Sequence, residues 1–411
     1  MPLETAASPG PATRVLALAY ACEPGKGSEP AAGWTWARIL AQLFDATIIT
    51  RANNRTAIEG ALDTIPERDR LRFVYVDLPR WATFWKRGQR GVRLYYLLWQ
   101  LAALREARRL NSRKPFDLVW HLTLANAWLG SVGPLVGPRF VYGPVGGGGG
   151  VPWRLLPSLG IRGIAYELLR TTVQACGRTV NPLARIAWRD ASLILVQNEE
   201  TRRWFPSRYR AKCRHFPNTV LEGAGDGDSA RRDTSSTALF VGRLLPWKGL
   251  ALALRALALV PAWRLIVCGA GPDQRRLASL VRRKNLQGRV DFRGWQPRSE
   301  VLRLMHDEAE LLVFPSIHDD AGFVVVEAML AGLPVLCLDR MGPPALAGPA
   351  GLAVDASGCA RSVVAALAHG LQARSFPQSA TIRERGRSFL LPERVKRLSA
   401  ELEQSGLTRG G

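Results

Sequence analysis

The sequence predicts an α/β protein made of two Rossmann-like, doubly wound domains that face each other across a cleft. Three observations carry this. Short apolar runs alternate with helical patterns along most of the 411 residues, as βαβ units on a parallel sheet require. The length exceeds what one hydrophobic core usually organises. The alternation also stops and restarts: residues 222–237, "EGAGDGDSARRDTSST", are polar and without hydrophobic period, and so separate two patterned halves or decorate the linker between them.

The first ten or so residues are rich in Pro, Ala, Gly and Ser and are expected to be disordered. "VLALAYA" then reads as a strand, "AAGWTWARILAQL" as a helix and "ATIIT" as a strand. "FVYVDL", "FDLVWHLT", "RFVYGPV" and "LILVQN" are further strands of the first half. In the second half "ALFVGRL", "WRLIVCGAG", "VDFRGW", "LLVFPS" and "PVLCLD" read as strands, with a helix over "GLALALRALALV". The expected domains are residues 1–215, with 1–12 disordered, and 216–385. A basic helix over 386–411 follows and packs back on the first domain.

Composition is globular: 47% of residues are hydrophobic and 22% charged, which excludes global disorder. Charge is unusual. Fifty-six basic residues against thirty-four acidic ones give +22, a surface that attracts nucleic acid, anionic lipid or phosphorylated small molecules. The six cysteines are scattered, with no CxxC pair and no zinc spacing. They predict a reducing compartment, no disulfide framework and no metal site. "RVLALAYAC" is short and runs into a polar loop, so no signal peptide is expected. No run reaches the ~18 apolar residues of a membrane-spanning helix.

In open parallel sheets, ligands bind beyond the carboxyl ends of the strands. Residues there are the candidates. Arg243 and Lys248, in "FVGRLLPWKG", follow a strand and flank a helix start, where a cation pair beside free N–H groups suits a diphosphate. The competing reading is a solvated loop with two charges. "VCGAGPDQRRL" reads better as a glycine turn and a cap. In "HDDAGFVVVEAMLAGLPVLCLD", Gly322 permits close backbone approach. Glu327 falls near the first turns of the next helix, where a carboxylate can accept hydrogen bonds from two vicinal hydroxyls. Asp319 lies in the loop before it. The alternative is a helix cap and one exposed Glu. In the first half, "EPGKGSEPAAGW" is a glycine-rich loop that offers Gly25, Gly27 and backbone N–H groups to an anion, although the P-loop pattern is absent. "GPVGGGGG" is a flexible or close-approach loop. His121 ends the "FDLVWH" strand; a lone histidine is more often structural than catalytic.

Together these stretches resemble glycosyltransferase family 4, of the GT-B fold. "FVGRLLPWKG" resembles the family's G-R-x4-K diphosphate segment, and "HFPNTV" the entry into the donor domain. "VCGAGP", "VDFRGW" and "LLVFPS" resemble successive donor-domain strands. The stretch from His318 resembles the E-x7-E motif, with Asp319 in place of the first Glu. "GSEPAAGW", "HLTLANAW" and "YGPVGGG" resemble a bacterial subgroup associated with surface polysaccharide assembly. The resemblance implies an acceptor-binding domain over 1–215 and a nucleotide-sugar donor domain over 216–385. It implies sugar transfer with retention of configuration, by front-face substitution and without a metal. Its catalytic residues would be His121, Arg243, Lys248 and Asp319, with Asp320 a possible substitute for Asp319. Its donor-binding residues would be Gly25, Gly27, Glu29, Arg243, Lys248, Gly322, Phe323 and Glu327. No cofactor is implied beyond the nucleotide-sugar co-substrate, a UDP-sugar ahead of a GDP-sugar. The acceptor would be a glycan, free or linked to polyprenyl diphosphate.

Residues 80–114 hold ten basic residues and one acid, Glu106, interleaved with Trp81, Phe84, Trp85, Tyr95, Tyr96 and Trp99. This composition suits an anionic membrane surface, or else a packed helix with a basic outer face. The expectation is a cytoplasmic protein, peripheral on the inner face of the membrane. Two other readings stand beside the enzyme. One is a catalytically impaired GT-B protein that binds sugar or lipid. The other is a nucleic-acid-binding protein, which the charge favours but no zinc finger, RNP signature or helix-turn-helix supports.

Overall fold

The computed structural model describes residues 13–79, 91–223, 236–373 and 375–407. The proline-rich start and most of the polar break at 222–237 lie outside these residues. The first unit carries strands Arg14–Leu18 (β1), Asp45–Thr50 (β2), Leu71–Tyr75 (β3), Leu118–His121 (β4), Phe140–Val145 (β5), Leu193–Val196 (β6) and Cys213–His215 (β7). The second carries Thr237–Val241 (β8), Arg264–Cys268 (β9), Val290–Gly294 (β10), Leu311–Phe314 (β11), Val335–Leu338 (β12) and Gly351–Val354 (β13). Helices of the first unit are Glu29–Leu43 (α1), Arg55–Leu62 (α2), Val92–Arg113 (α3), Gly160–Val180 (α4), Pro182–Asp190 (α5) and Glu199–Trp204 (α6). Those that follow are Leu250–Leu257 (α7), Gln274–Arg283 (α8), Arg298–Asp307 (α9), Phe323–Leu330 (α10), Gly342–Ala347 (α11), Ala360–Ala373 (α12), Ser379–Arg387 (α13) and Leu391–Gln404 (α14).

Both sheets are parallel. The first has the order β3-β2-β1-β4-β5-β6-β7 and the second β10-β9-β8-β11-β12-β13. The central strands "LVWH", "LILV", "LLVF" and "VLCL" are buried along their whole length, because helices cover both faces of a parallel sheet. Strand order reverses between β1 and β4, and again between β8 and β11. These are the topological switch points where such sheets bind ligands. The chain therefore has the two-domain α/β GT-B fold expected of it. Two strands escaped the sequence reading, β7 ("CRH") and β13 ("GLAV"). Both are edge strands with one buried residue each, so neither shows a continuous apolar run.

The units exchange segments. Leu155 and Leu159, which precede α4, are fully buried in the core of the second unit with Leu250, Leu254 and Leu277. Leu398 and Leu402 of α14 are fully buried in the core of the first, with Ile39 and Leu40 of α1. Burying a leucine contributes about 1.5–3 kcal/mol, so α14 is part of the first unit's core. At the crossing, the Leu221 N–H donates to Phe389 O at 3.1 Å and the Leu391 N–H to Leu221 O at 2.9 Å.

Of the two readings of the 80–114 stretch, the described part fits the packed helix with a basic outer face. Residues 80–90 lie outside the described residues. Tyr95, Tyr96 and Trp99 are core side chains. The Tyr96 hydroxyl meets His121 Nε2 at 2.8 Å, and Trp99 Nε1 donates to Val76 O at 2.9 Å. Their polar tips have partners under the sheet, so these aromatic bodies pack inward and leave Arg105, Arg108 and Arg109 outside. Among the described residues no helix is long and apolar enough to cross a membrane.

Candidate functional site

The loops after β1, β4 and β5 of the first sheet meet those after β8 and β11 of the second. The second-unit half is a pair of interlocked loops. Ile317 N–H donates to Trp247 O at 2.8 Å, which ties the loop after β11 to the one after β8. Gly249 has a left-handed φ of 75° and no room for a Cβ, which would collide with Pro315 O. Glycine there lets Lys248 sit directly over the end of β11.

Lys248 Nζ forms an ion pair with Asp319 Oδ2, and both side chains are largely buried. The ammonium also lies 5.4 Å from the Phe314 ring centroid. Arg243 is exposed on the same loop, with no ion pair among the described residues. Gly322 caps the start of α10 with φ 144°. Phe323, half-buried, touches apolar residues of both units' cores. Glu327 follows on α10, and its Oε1 accepts a 2.7 Å bond from Nε of the exposed Arg298. Arg298 was not singled out in the sequence, and a partner 29 residues away has no local signature.

Asp320, named as a possible substitute for Asp319, is engaged across the junction in this structure. Its Oδ2 accepts from the Gly147 N–H at 2.9 Å, and Asn198 Nδ2 donates to its Oδ1 at 3.2 Å. It joins the second unit to the glycine loop of the first. A Cβ at Gly146 would lie 2.7 Å from the Asp320 carboxyl. The loop 143–150 is thus a place of close approach. Two further bonds run alongside: Met341 N–H to Glu200 Oε1 at 2.7 Å and Arg340 Nη2 to Gly150 O at 2.9 Å. Trp247 stacks between Tyr166 of α4, at 4.5 Å, and His318, at 5.3 Å. His318 Nε2 in turn lies 3.5 Å from Oε2 of the buried Glu167.

A cavity of about 570 Å³ opens beside this junction, walled by Leu94, Tyr96, Leu124, Trp128, Gln197, Glu29 and Asp320 among others. Glu29 opens α1, where the Leu124 N–H donates to its Oε1 at 2.6 Å. Its pKa is raised: burial opposes the charge, the Leu124 bond partly offsets this, and the Asp320 carboxylate adds to it. A carboxyl so disposed can hold or accept a hydroxyl proton. Gly25 and Gly27 lie on the exposed part of the loop before α1 and do not wall the cavity. His121 is fully buried. Its Nε2 meets Tyr96 Oη and its Nδ1 meets Ser131 Oγ at 2.7 Å. Burial depresses its pKa to about 4. With both ring nitrogens engaged, His121 presents none to the cavity; it positions Tyr96, which does wall it. In this structure the expected catalytic residue His121 reaches the cavity through Tyr96 rather than directly.

Residues 226–388 match the family described as Glycosyl transferases group 1. The match falls on the second unit. The 2-deoxystreptamine glucosyltransferase of Streptomyces kanamyceticus is 29% identical over 280 residues, covering 61% of this chain and 69% of its own. The O-antigen chain mannosyltransferase B of Escherichia coli is 31% identical over 152 residues, covering 36% of this chain and 39% of its own. This chain thus spans about two-thirds of the first relative and well under half of the second. Among solved structures, the lipopolysaccharide outer core galactosyltransferase WaaB superposes with a TM-score of 0.65 at 14% identity, over 95% of this chain and 99% of that one. Anabaena HepE in complex with UDP and glucose gives 0.57 at 17% identity, over 95% and 99%. At such identities the likeness is one of fold.

Proposed function

We propose that this protein transfers a sugar from a nucleoside diphosphate sugar to a glycan acceptor, with retention of configuration. The observation that carries the reading is a coincidence of place. Lys248, Asp319 and Glu327 lie around the switch point of the second sheet, inside the segment that matches the glycosyltransferase domain.

In this reading Arg243 and Lys248 hold the diphosphate and stabilise the charge that develops on the leaving group, which needs no metal. The donor phosphate takes the place of Asp319 beside the Lys248 ammonium. Glu327 accepts the ribose hydroxyls, with Arg298 fixing one of its oxygens. Gly322 lets the backbone of the α10 start approach the sugar, and Phe323 supports that turn from below. Gly25 and Gly27 face the donor from the other side of the cleft. The acceptor hydroxyl enters the cavity beside Glu29. The leaving phosphate takes its proton in a front-face substitution, and the closed units limit hydrolysis.

A UDP-sugar is preferred to a GDP-sugar. The acceptor is a bacterial surface glycan, linked to polyprenyl diphosphate, at the inner face of the cell membrane. The second reading, a sugar-binding protein with an impaired site, draws on one observation: Asp319 stands in for a longer acid and is held by Lys248. Calorimetric titration of UDP and GDP into wild type and Glu327→Ala separates the two. Losing a charge-assisted ribose contact costs about 1.5–3 kcal/mol. Tight binding weakened by that much, with sugar turnover and an NMR-defined retained anomer, supports the transferase. Binding without turnover of any nucleotide sugar supports the second reading, and no nucleotide binding removes both donor-site assignments.

A further inference from the structure

Helix α4 is amphipathic with its faces reversed. The inner face carries Gly163, Glu167, Arg170 and Gln174, all buried or half-buried. These serve the backbone of the glycine loop. Gln174 Nε2 donates to Gly147 O at 2.7 Å, Arg170 Nη2 to Gly149 O at 2.6 Å, and the Val151 N–H to Glu167 Oε1 at 2.9 Å. A loop rich in glycine has no side chains with which to satisfy its own carbonyls and N–H groups, so the helix that packs on it must be polar on that side. Ile164 packs on the second unit's core and Tyr166 on Trp247, and the other large apolar residues are left facing outward. Ile161 (88% exposed), Leu168 (57%), Leu169 (65%), Val173 (36%) and Val180 (72%) recur at helical spacing. They form one stripe along a helix of 21 residues, about 30 Å long.

We infer that this stripe is the surface by which the protein lies on an anionic phospholipid bilayer. Charge selects that occupant. The one acid of α4, Glu167, is buried on the far side. Arg162 is the exposed charge beside the stripe, Arg178 being turned to the Trp204 ring at 5.4 Å, and the turn before the helix exposes Trp153 beside Arg154, whose guanidinium lies 5.1 Å from the indole. A second copy would bring the same cations against each other across a symmetric contact, whereas anionic head groups complement them. The helix also flanks the cavity: Gly177 packs against Trp128, one of its walls. A lipid-borne substrate would meet the cavity from that side. This deepens the functional reading by naming the docking surface, but vesicle binding is measured without any transfer reaction.

The test is co-sedimentation of the full chain with vesicles of phosphatidylcholine alone and with about one-third phosphatidylglycerol. Leu168→Glu with Leu169→Glu is compared to wild type, and both are checked for unchanged UDP binding and circular dichroism. Binding to the anionic vesicles, lost at least about tenfold in the double variant, is expected. In a Cys359→Ser background, an environment-sensitive dye on the exposed Cys176 should shift to the blue on those vesicles. Equal binding by the double variant, sedimentation with no dye shift, or no vesicle binding at all would overturn the proposal. So would a dimer in sedimentation velocity that the double variant dissociates while vesicles are ignored.

Discussion

The carboxylate of Asp320 accepts the Gly147 N–H at 2.9 Å, across 173 residues of chain and from one unit to the other. It is the polar pin of a junction in which the glycine loop, bare of side chains, is read by its backbone. Asn198 holds the other carboxylate oxygen. Replacing Asp320 with Ala leaves that N–H and the Asn198 amide without their partner, at a cost of about 1–3 kcal/mol. Hydrogen exchange at residues 146–151 should rise in Asp320→Ala while exchange in β1 and β8 stays as in wild type.

Lys248 and Asp319 form the ion pair at the centre of the second unit's half of the candidate site. If phosphate replaces Asp319 beside the ammonium, the two partners have opposite effects on nucleotide binding. Lys248→Ala should weaken UDP by roughly tenfold or more, since hydrogen bonds to charged groups contribute about 1.5–3 kcal/mol. Asp319→Asn releases the lysine and should bind UDP as well as wild type or better. Equal losses in both variants, read by calorimetry, would mean that Asp319 itself holds the donor.

Glu29 has its pKa raised by burial and by the neighbouring Asp320 charge, so its ionised form is the costly one in the folded protein. The penalty on stability is full above the folded pKa, shrinks as pH falls below it, and is gone only below the ordinary carboxyl value of ~4.3 of the unfolded chain. Glu29→Gln keeps an oxygen for the Leu124 N–H and removes the charge. At neutral pH it should melt no lower than wild type, while transfer to an acceptor falls by roughly tenfold or more, because the acceptor hydroxyl loses the carboxyl that orients it. A large drop in melting temperature would assign Glu29 a structural role instead.

His121 is buried neutral, with a pKa of about 4. In the unfolded chain it titrates near ~6.5. Its contribution is therefore whole above pH ~6.5 and is lost as pH falls toward ~4, where the folded state must also take the proton. Between pH ~7 and ~5 this amounts to about 2 kcal/mol. Urea unfolding at the two pH values should show that loss in wild type and a smaller one in His121→Gln.

Leu398 has no exposed surface, and its neighbours belong to the first unit. Leu398→Ala should cost about 2–5 kcal/mol. Intrinsic fluorescence should report it, since Trp34, Trp36 and Trp120 lie in the same core. Removing a helix that merely trails the chain would leave that signal unchanged.

What the sequence determined by itself is the layered frame. Apolar runs of strand length, punctuated by glycine and helical pattern, specify parallel strands buried on both faces, and the residues just beyond them become the site because strand ends converge. Lys248 and Asp319 became candidates for that reason, and Glu327 because it lies on the helix that follows the same loop. Burial of a strand is local information, written at a period of two or as a continuous run. What only the tertiary structure decided is which surfaces meet. Leu155 and Leu159 belong to the other unit's core, Asp320 pins a loop rather than a ligand, and both nitrogens of His121 are enclosed. The same holds for α4, whose apolar stripe would ordinarily mark the buried side of a helix. It points outward because the backbone beneath it, 147–151, offers hydrogen bonds to be met rather than side chains to be packed, and that demand arises only when the two segments are brought together.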